Sequence, residues 1–394
     1  MDARVKTHGL DGTLEKPTWA ALTMAELRAL LRRYPECGKP VEILRVSPRP
    51  FSAACVVRTA AKSVFVKRHH QTVRNEEGLL EEHRFLEHLR AHGAAVPRVF
   101  HDGSGLSAIA DGEWTYEVHE APAGIDLYAD ALSWTPFRSE AHARSAGMAM
   151  ARMHLASRGF DAPERRLRPL VAGFTIFASS NADSQMPRYI AERPSLANHE
   201  EVPVRAEEAL ALLAPFDDEL RPLLPALEPL WTHNDLHASN LLWSDASKAA
   251  RASTTIDFGL ADRTNAVHDI ACAIERNIVE WLVLVDDPSR PDRVPVHFNH
   301  LHALLEGYES VRPLSESEAT ALAPMTAVCH AEFALSEADY FLSVLGSEVK
   351  ARMAYDGWLV GHARWFRSNA GERLLDDLRV WAAQRKDRRI KAWA

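Results

Sequence analysis

With 394 residues, 46% of them hydrophobic, and a formal net charge of −8, the chain has enough apolar material for two or three domains and repels polyanions. Its only dense basic run, 385–391, sits at the extreme C-terminus as a solvated helix end would, so nucleic acid is not expected as a partner. The strongest apolar run, 278–285, is interrupted by Glu280 and is far shorter than the roughly 20 residues that span a bilayer, and the charged segment 1–10 has no signal-peptide core, so a cytoplasmic protein without a membrane segment is expected.

Thr23 followed by Glu26 has capping-box spacing and predicts a short helix over 24–33, the end of a helical extension spanning 1–40. Three β-rich segments follow at 41–46, 54–59 and 63–67, the last two close enough to form a hairpin. Across 72–92, Leu79, Leu80, Phe85, Leu86 and Leu89 recur at helical spacing, and Gly93 with Pro97 supplies the stop. Two further strands, 106–109 and 114–119, flank a turn at Asp111 and Gly112. Residues 41–120 therefore form one lobe of five strands and a helix. Beyond Gly124 the pattern turns helical, beginning with a run from the N-cap Ser139 to Ser157, so 121–394 form a larger, mostly helical lobe. Prolines over 187–203 and 215–229 are expected to break the next helices. The fold class is α+β and bilobal, with a small antiparallel sheet in the first lobe.

The chemistry concentrates in Trp231-Thr232-His233-Asn234-Asp235-Leu236-His237-Ala238-Ser239-Asn240, which runs into a short apolar strand, 241–243. A second apolar strand, 254–256, ends at Asp257-Phe258-Gly259. If the two pair antiparallel, the start of the first lies beside the end of the second, bringing Asn240 to Asp257. Two oxygen donors at one hairpin end suit magnesium, which takes few protein ligands and completes its shell with phosphate and water. Asp235, five residues before Asn240, is within reach of the same point and has the spacing of a base that orients an attacking hydroxyl.

These two segments resemble, in order and spacing, the HxDLHxxN loop and metal-binding strand end of the aminoglycoside phosphotransferase and choline kinase family, whose fold is protein-kinase-like. The resemblance covers residues 41–370. It implies an ATP- and magnesium-dependent transfer of the γ-phosphate to a small-molecule hydroxyl, with Asp235 as catalytic base, Asn240 and Asp257 as magnesium ligands and His233 as a support of the loop. Asp269 would cap a helix and brace that loop. Lys67, ending its strand, would reach the nucleotide phosphates and pair with Glu82 on the following helix, while backbone groups near Glu120 would hold the adenine, although Pro122 has no N–H to offer. The loop Ser47-Pro48-Arg49-Pro50-Phe51-Ser52-Ala53 departs from the family in having no glycine, so Ser52 and neighbouring N–H groups are expected to substitute at the phosphates.

The remaining candidates have plainer readings. Cys37, Cys55, Cys272 and Cys329 are widely spaced and read as buried free thiols. His154 reads as a core histidine, His69 and His70 as solvent-facing, and Trp281, Trp358 and Trp365 as core. Glu275, Glu280, Asp286, Asp287, Glu332, Glu337 and Asp339 read as a solvated face, with attraction of a cationic acceptor as the alternative. Homoserine, an amino alcohol, an aminoglycoside, a sugar or a protein hydroxyl all remain open as acceptors. The competing functions are a nucleotide-binding pseudokinase that acts as an interaction module, suggested by the missing glycines, and a zinc hydrolase built on His233 and His237.

Overall fold

The computed structural model describes residues 18–47, 49–131, 133–286 and 290–393, excluding the side chains of 285, 286 and 386–393. Expectations that rest on residues 1–10, Pro48, the Asp286 side chain, Asp287 or the basic run beyond Arg385 lie outside the described residues. Within them, no helix is long and apolar enough to cross a membrane.

Among the described residues, β1 (Pro40–Val46), β2 (Ala53–Thr59), β3 (Ser63–His70), β4 (Ala108–Asp111) and β5 (Trp114–Glu120) make an antiparallel sheet in the order β1-β2-β3-β5-β4. Alternation along β2 and β3 puts Val57, Val64 and Val66 on one face, where helix α1 (Met24–Leu31) covers them with Leu27, Leu30 and Leu31. The expected capping box holds α1, with Thr23 Oγ1 accepting from the Glu26 N–H and Glu26 accepting from the Thr23 N–H. Glu26 then reaches across the sheet to Arg68 at 2.6 Å and to the Tyr116 hydroxyl at 2.8 Å. Helix α2 (Glu76–Ala91), capped by Asn75, lies on the other face with Phe85, Leu86 and Leu89 turned into the main core.

The chain leaves the sheet through Gly124, whose φ of +123° disfavours a side chain, and an added Cβ would sit 2.5 Å from Ser253 Oγ. This close approach lets Ile125 bond both ways with Trp243 and ties the linker to the hairpin below. Helix α3 (Glu140–Ser157) starts from its Ser139 cap and leads into α4 (Ala182–Ala191), α5 (Pro194–Ala197) and α6 (Glu201–Leu220). The proline expectation needs correction here. Pro187 and Pro215 lie inside α4 and α6, removing backbone bonds to residues 183 and 211, while Pro203 sits in the first turn, where no intrahelical partner is needed. Each helix instead owes its persistence to a buried face, with Met186, Tyr189 and Ile190 in α4 and Ala209, Leu213 and Phe216 in α6.

Two small antiparallel ladders come next: β6 (Pro229–Thr232) pairs with β9 (Asp262–Asn265), and between them β7 (Leu241–Trp243) pairs with β8 (Ala252–Thr255). Helices α7 (Ala266–Ile278), α8 (Trp281–Asp286) and α9 (Phe298–Glu309) follow. Helix α9 crosses α3 so closely that a Cβ on Gly147 would meet the Leu304 carbonyl oxygen at 2.0 Å, and one on Gly307 would meet that of Arg144 at 2.0 Å. The helices from Glu316 onward close the core around Trp281, Trp358 and Trp365, all buried as expected.

Candidate active site

The His233–Asn240 segment is built on α7. Asn265 caps that helix, which corrects the expectation that Asp269 does so. Asp269, fully buried four residues into α7, faces the segment instead, accepting from the Asn234 N–H at 2.7 Å, the His233 N–H at 3.3 Å and His154 Nε2 at 2.8 Å. At the far end, Asn277 accepts from the Ala238 N–H at 2.9 Å and donates to the Leu236 carbonyl at 2.8 Å. His233 braces the loop as expected, with Nε2 at 3.0 Å from the Ile256 carbonyl and Nδ1 accepting from the Asp235 N–H at 3.2 Å. His154 is the packed core histidine expected, bonded also to the Tyr308 hydroxyl at 2.8 Å.

The hairpin does bring its two ends together: the Ile256 N–H donates to the Asn240 carbonyl at 2.9 Å, and Asp257 follows with φ +63°. Leu170, Asn234 and Asp257 are the non-glycine residues with positive φ among the described residues; Leu170 and Asp257 line the cleft and Asn234 directly precedes Asp235, and such strain commonly marks a working site. Asn240 donates to the Asp235 carbonyl at 2.8 Å and to its carboxylate at 3.3 Å, which leaves its amide oxygen for a cation. Asp257 lies 3.0 Å from Lys67 Nζ. Burial pushes the Asp257 carboxyl up, but Lys67 outweighs it and keeps the group below the ordinary carboxylate range.

Asp235 is held by Arg276, whose Nε is 3.1 Å from Oδ1, with His237 Nε2 at 3.6 Å from Oδ2. Burial alone would raise this carboxyl; His237 and Arg276 outweigh it, so Asp235 is ionised. Burial pushes the His237 imidazole down although Asp235 pulls it up.

Lys67 and Glu82, expected to pair, do not. Glu82 Oε1 is taken by Arg74 Nε at 2.9 Å and by Arg165 at 2.8 Å, two guanidiniums that a single carboxylate satisfies, while Asp257 claims Lys67. The same arginines donate to the Gly259 carbonyl at 2.6 and 2.8 Å, so α2 is anchored to the Asp257-Phe258-Gly259 strand end rather than to β3. His69 is also corrected. It is buried, not solvent-facing, and it shares Glu117 with His83 and His119 at 2.9, 2.9 and 2.7 Å, a carboxylate saturated by three imidazoles. His70 is half-buried, stacked on Trp19 with ring centroids 5.0 Å apart.

Two cavities meet at this point. One runs under the sheet, bounded by Leu44, Val56, Phe65, Glu120, Leu242 and Ile256; the other faces the helices, bounded by Ser133, Trp134, Asp235, Arg276, Phe333 and Glu337. Arg49, Ser52, Lys67, Asn240 and Asp257 line both. Glu120 is thus placed at the sheet-side cavity, but its N–H donates to the Arg98 carbonyl at 2.8 Å and that of Ala121 to the Ser63 carbonyl at 3.3 Å, so neither is available to a base. The acidic face also needs correcting: Glu275, Glu332, Glu337 and Asp339 are buried. Glu275 pairs with Arg276 and His362, Glu332 accepts the Ile176 N–H at 2.6 Å, and Asp339 accepts from Ser195. Arg49, Trp134, Arg165 and Arg276 were not found from sequence. Of these, Arg49 stands in the glycine-free loop read from sequence and Arg276 directly follows Glu275; the other two left no signal there.

Residues 49–314 match the sequence profile of the phosphotransferase enzyme family. The chain belongs to that family. Among curated relatives of this family member, a homoserine kinase of Gluconacetobacter diazotrophicus is 28% identical over 63% of this chain and 65% of its own length. A second, of Paramagnetospirillum magneticum, is 29% identical over 68% and 72%. The chain thus spans about two thirds of the length of these relatives. Two solved structures share the fold: a microcompartment-associated aminopropanol kinase (17% identity, 87% of this chain and 98% of that one, TM-score 0.53), and an aminoglycoside phosphotransferase in ternary complex with AMP-PNP and hygromycin B (14%, 89% and 100%, TM-score 0.53). With the sheet and helices described above, they establish the two-lobed, kinase-like α+β fold.

The donor set fits magnesium: a carboxylate held into the cleft by a strained backbone, an amide oxygen opposite, and Lys67 occupying the place of a cation beside Asp257. The imidazoles of His233 and His237, by contrast, are engaged with the Ile256 carbonyl and with Ser239, which does not suit a zinc pair.

Proposed function

We propose that this protein is an ATP-dependent kinase that transfers the γ-phosphate to a hydroxyl of a small hydroxy amino acid or amino alcohol, homoserine being the first candidate. The observation that carries the reading is the shared wall of the two cavities, where Lys67, Asn240 and Asp257 stand between a mostly apolar slot suited to adenine and a pocket holding Asp235. Ionised and fixed by Arg276, Asp235 would orient the acceptor hydroxyl and take its proton as the new oxygen–phosphorus bond forms. Lys67 would align the phosphates, and Asn240 and Asp257 would hold magnesium, which when bound offsets phosphate charge. Glu82 acts at one remove, through Arg74 and Arg165, by fixing the Gly259 carbonyl beside Asp257. Ser52 is proposed to line the phosphate path, and the hinge carbonyls near Glu120, rather than the two engaged N–H groups, to meet the base.

The acceptor pocket supports a small polar molecule, since Asp235 and Glu337 line it together with the aromatic walls Trp134 and Phe333. The relatives named as homoserine kinases point the same way. Buried, unpaired cysteines suit the reducing, ATP-containing cytoplasm. The test is ADP release by the purified protein with magnesium and ATP against homoserine, amino alcohols, aminoglycosides and sugars, with the phosphoester identified by phosphorus NMR. Turnover with homoserine or an amino alcohol supports the reading. ATP binding without turnover on any acceptor contradicts it.

A further inference from the structure

The loop between β1 and β2 has no glycine, so its backbone cannot approach phosphates as closely as a glycine-rich loop does. It carries Arg49 instead. The Arg49 guanidinium lines both cavities, in the company of Lys67, Asn240 and Asp257. It faces Asp126, Asp257 and Asp235, and each of these already has a closer cation: Arg45 at 2.7 Å, Lys67 at 3.0 Å and Arg276 at 3.1 Å. Among the described residues its guanidinium makes one side-chain hydrogen bond, long and neutral, from Nη1 to Ser133 Oγ at 3.4 Å. Arg74, Arg165 and Arg276 are, by contrast, locked in buried ion pairs. Among the described residues this half-buried guanidinium belongs to no close structural pair, and because it borders both cavities it is placed where a group passing between them must go.

We propose, resting on the kinase reading above, that Arg49 is a catalytic residue that contacts the γ-phosphoryl group during transfer, a side chain doing what glycine N–H groups do elsewhere. In the step it serves, the acceptor oxygen bonds to the γ-phosphorus as the bond from that phosphorus to the β,γ-bridging oxygen breaks. ADP leaves with that electron pair, and the hydroxyl proton passes to Asp235. Arg49 exchanges no proton; its planar fork meets two phosphoryl oxygens and stabilises the charge spread over them. Arginines used this way in other phosphoryl-transfer enzymes raise kcat by about a thousandfold or more.

A contact confined to the γ-phosphate separates two nucleotides without any knowledge of the acceptor. Binding of magnesium-AMP-PNP and magnesium-ADP is measured by calorimetry for the wild type, Arg49→Ala and Arg49→Lys, with circular dichroism to confirm folding. Arg49→Ala should lose about tenfold or more in AMP-PNP affinity, as expected for a hydrogen-bonded charge, and leave ADP affinity unchanged. Arg49→Lys, which keeps the charge but not the fork, should recover part of the loss. An equal loss for both nucleotides, which a merely structural loop residue would give, or no loss for either, overturns the proposal. A wild-type protein that binds neither nucleotide overturns the kinase reading itself and this one with it.

Discussion

On the helical side of the cleft, buried Asp269 and Asn277 hold both ends of the His233–Asn240 segment, and Asp235 leans on the buried pair of Arg276 and Glu275. Across the cleft, loop 49–52 hangs from the N-terminal segment by two bonds near solvent, the Thr18 N–H to the Pro50 carbonyl at 3.1 Å and Trp19 Nε1 to the Phe51 carbonyl at 3.2 Å. One wall is fixed by charges removed from water, where each lost partner strands another buried group; the other is fixed by neutral bonds that water can replace and by the Phe51 ring, which meets Tyr340 edge-on at 5.1 Å. The difference teaches where the precision of this site resides. The groups proposed to orient the acceptor and hold the metal sit on the rigid wall, and the loop proposed to meet the phosphates is the more loosely tied part.

That contrast can be broken by substitution. Asp269→Ala should cost the most, about 4 kcal/mol, because it orphans two loop N–H groups and His154 in the core. A denaturant midpoint showing less than about 1 kcal/mol would mean that the rigid wall is held some other way. Glu275→Gln comes next. Burial raises the Glu275 carboxyl, but Arg276 and His362 outweigh it and bring it down to about 2 from the ordinary 4.5. A depressed carboxyl contributes stability that is complete above its unfolded value and is lost as pH falls from 4.5 towards 2, here about 3 kcal/mol. Urea melts over that window should slope less steeply in the variant than in the wild type; equal slopes would remove Glu275 from the account.

Gly147→Ala probes rigidity further from the cleft. Its Cβ would fall 2.0 Å from the Leu304 carbonyl oxygen and must push α3 from α9, costing roughly 2 kcal/mol. A neutral outcome would show that this crossing can give. Smallest of all, Trp19→Phe removes the Nε1 bond to Phe51 while keeping a ring on His70 and Trp114. It should shift stability by about 1 kcal/mol or less. A larger shift would place the covering loop with the rigid wall and erase the distinction.

Much of this was legible in sequence where local pattern and local geometry agree. The capping box at Thr23, the β-rich runs of β1–β3, the 3.6-residue stripe of α2 and the hairpin that brings Asn240 to Asp257 all follow from neighbours along the chain. The β6–β9 ladder was not, because Asp262, Arg263, Thr264 and Asn265 make a polar four-residue strand that only its partner turns into one. Arg165 reaches Glu82 across 83 positions from a segment without periodicity, and nothing local marks that meeting. The acidic residues after the site were misread because Glu332 and Asp339 satisfy burial through partners on distant elements, which composition alone reads as solvation. Prolines 187 and 215 were given too much weight as breakers against helices stabilised by packing.

The central claim, that Asp235 orients the acceptor hydroxyl on the rigid wall, is tested most directly by Asp235→Asn. Turnover with the best acceptor and calorimetric ADP binding are measured side by side. The account predicts a loss in kcat of about a hundredfold or more with ADP affinity unchanged. Turnover equal to the wild type, or ADP binding lost in step with turnover, would contradict it.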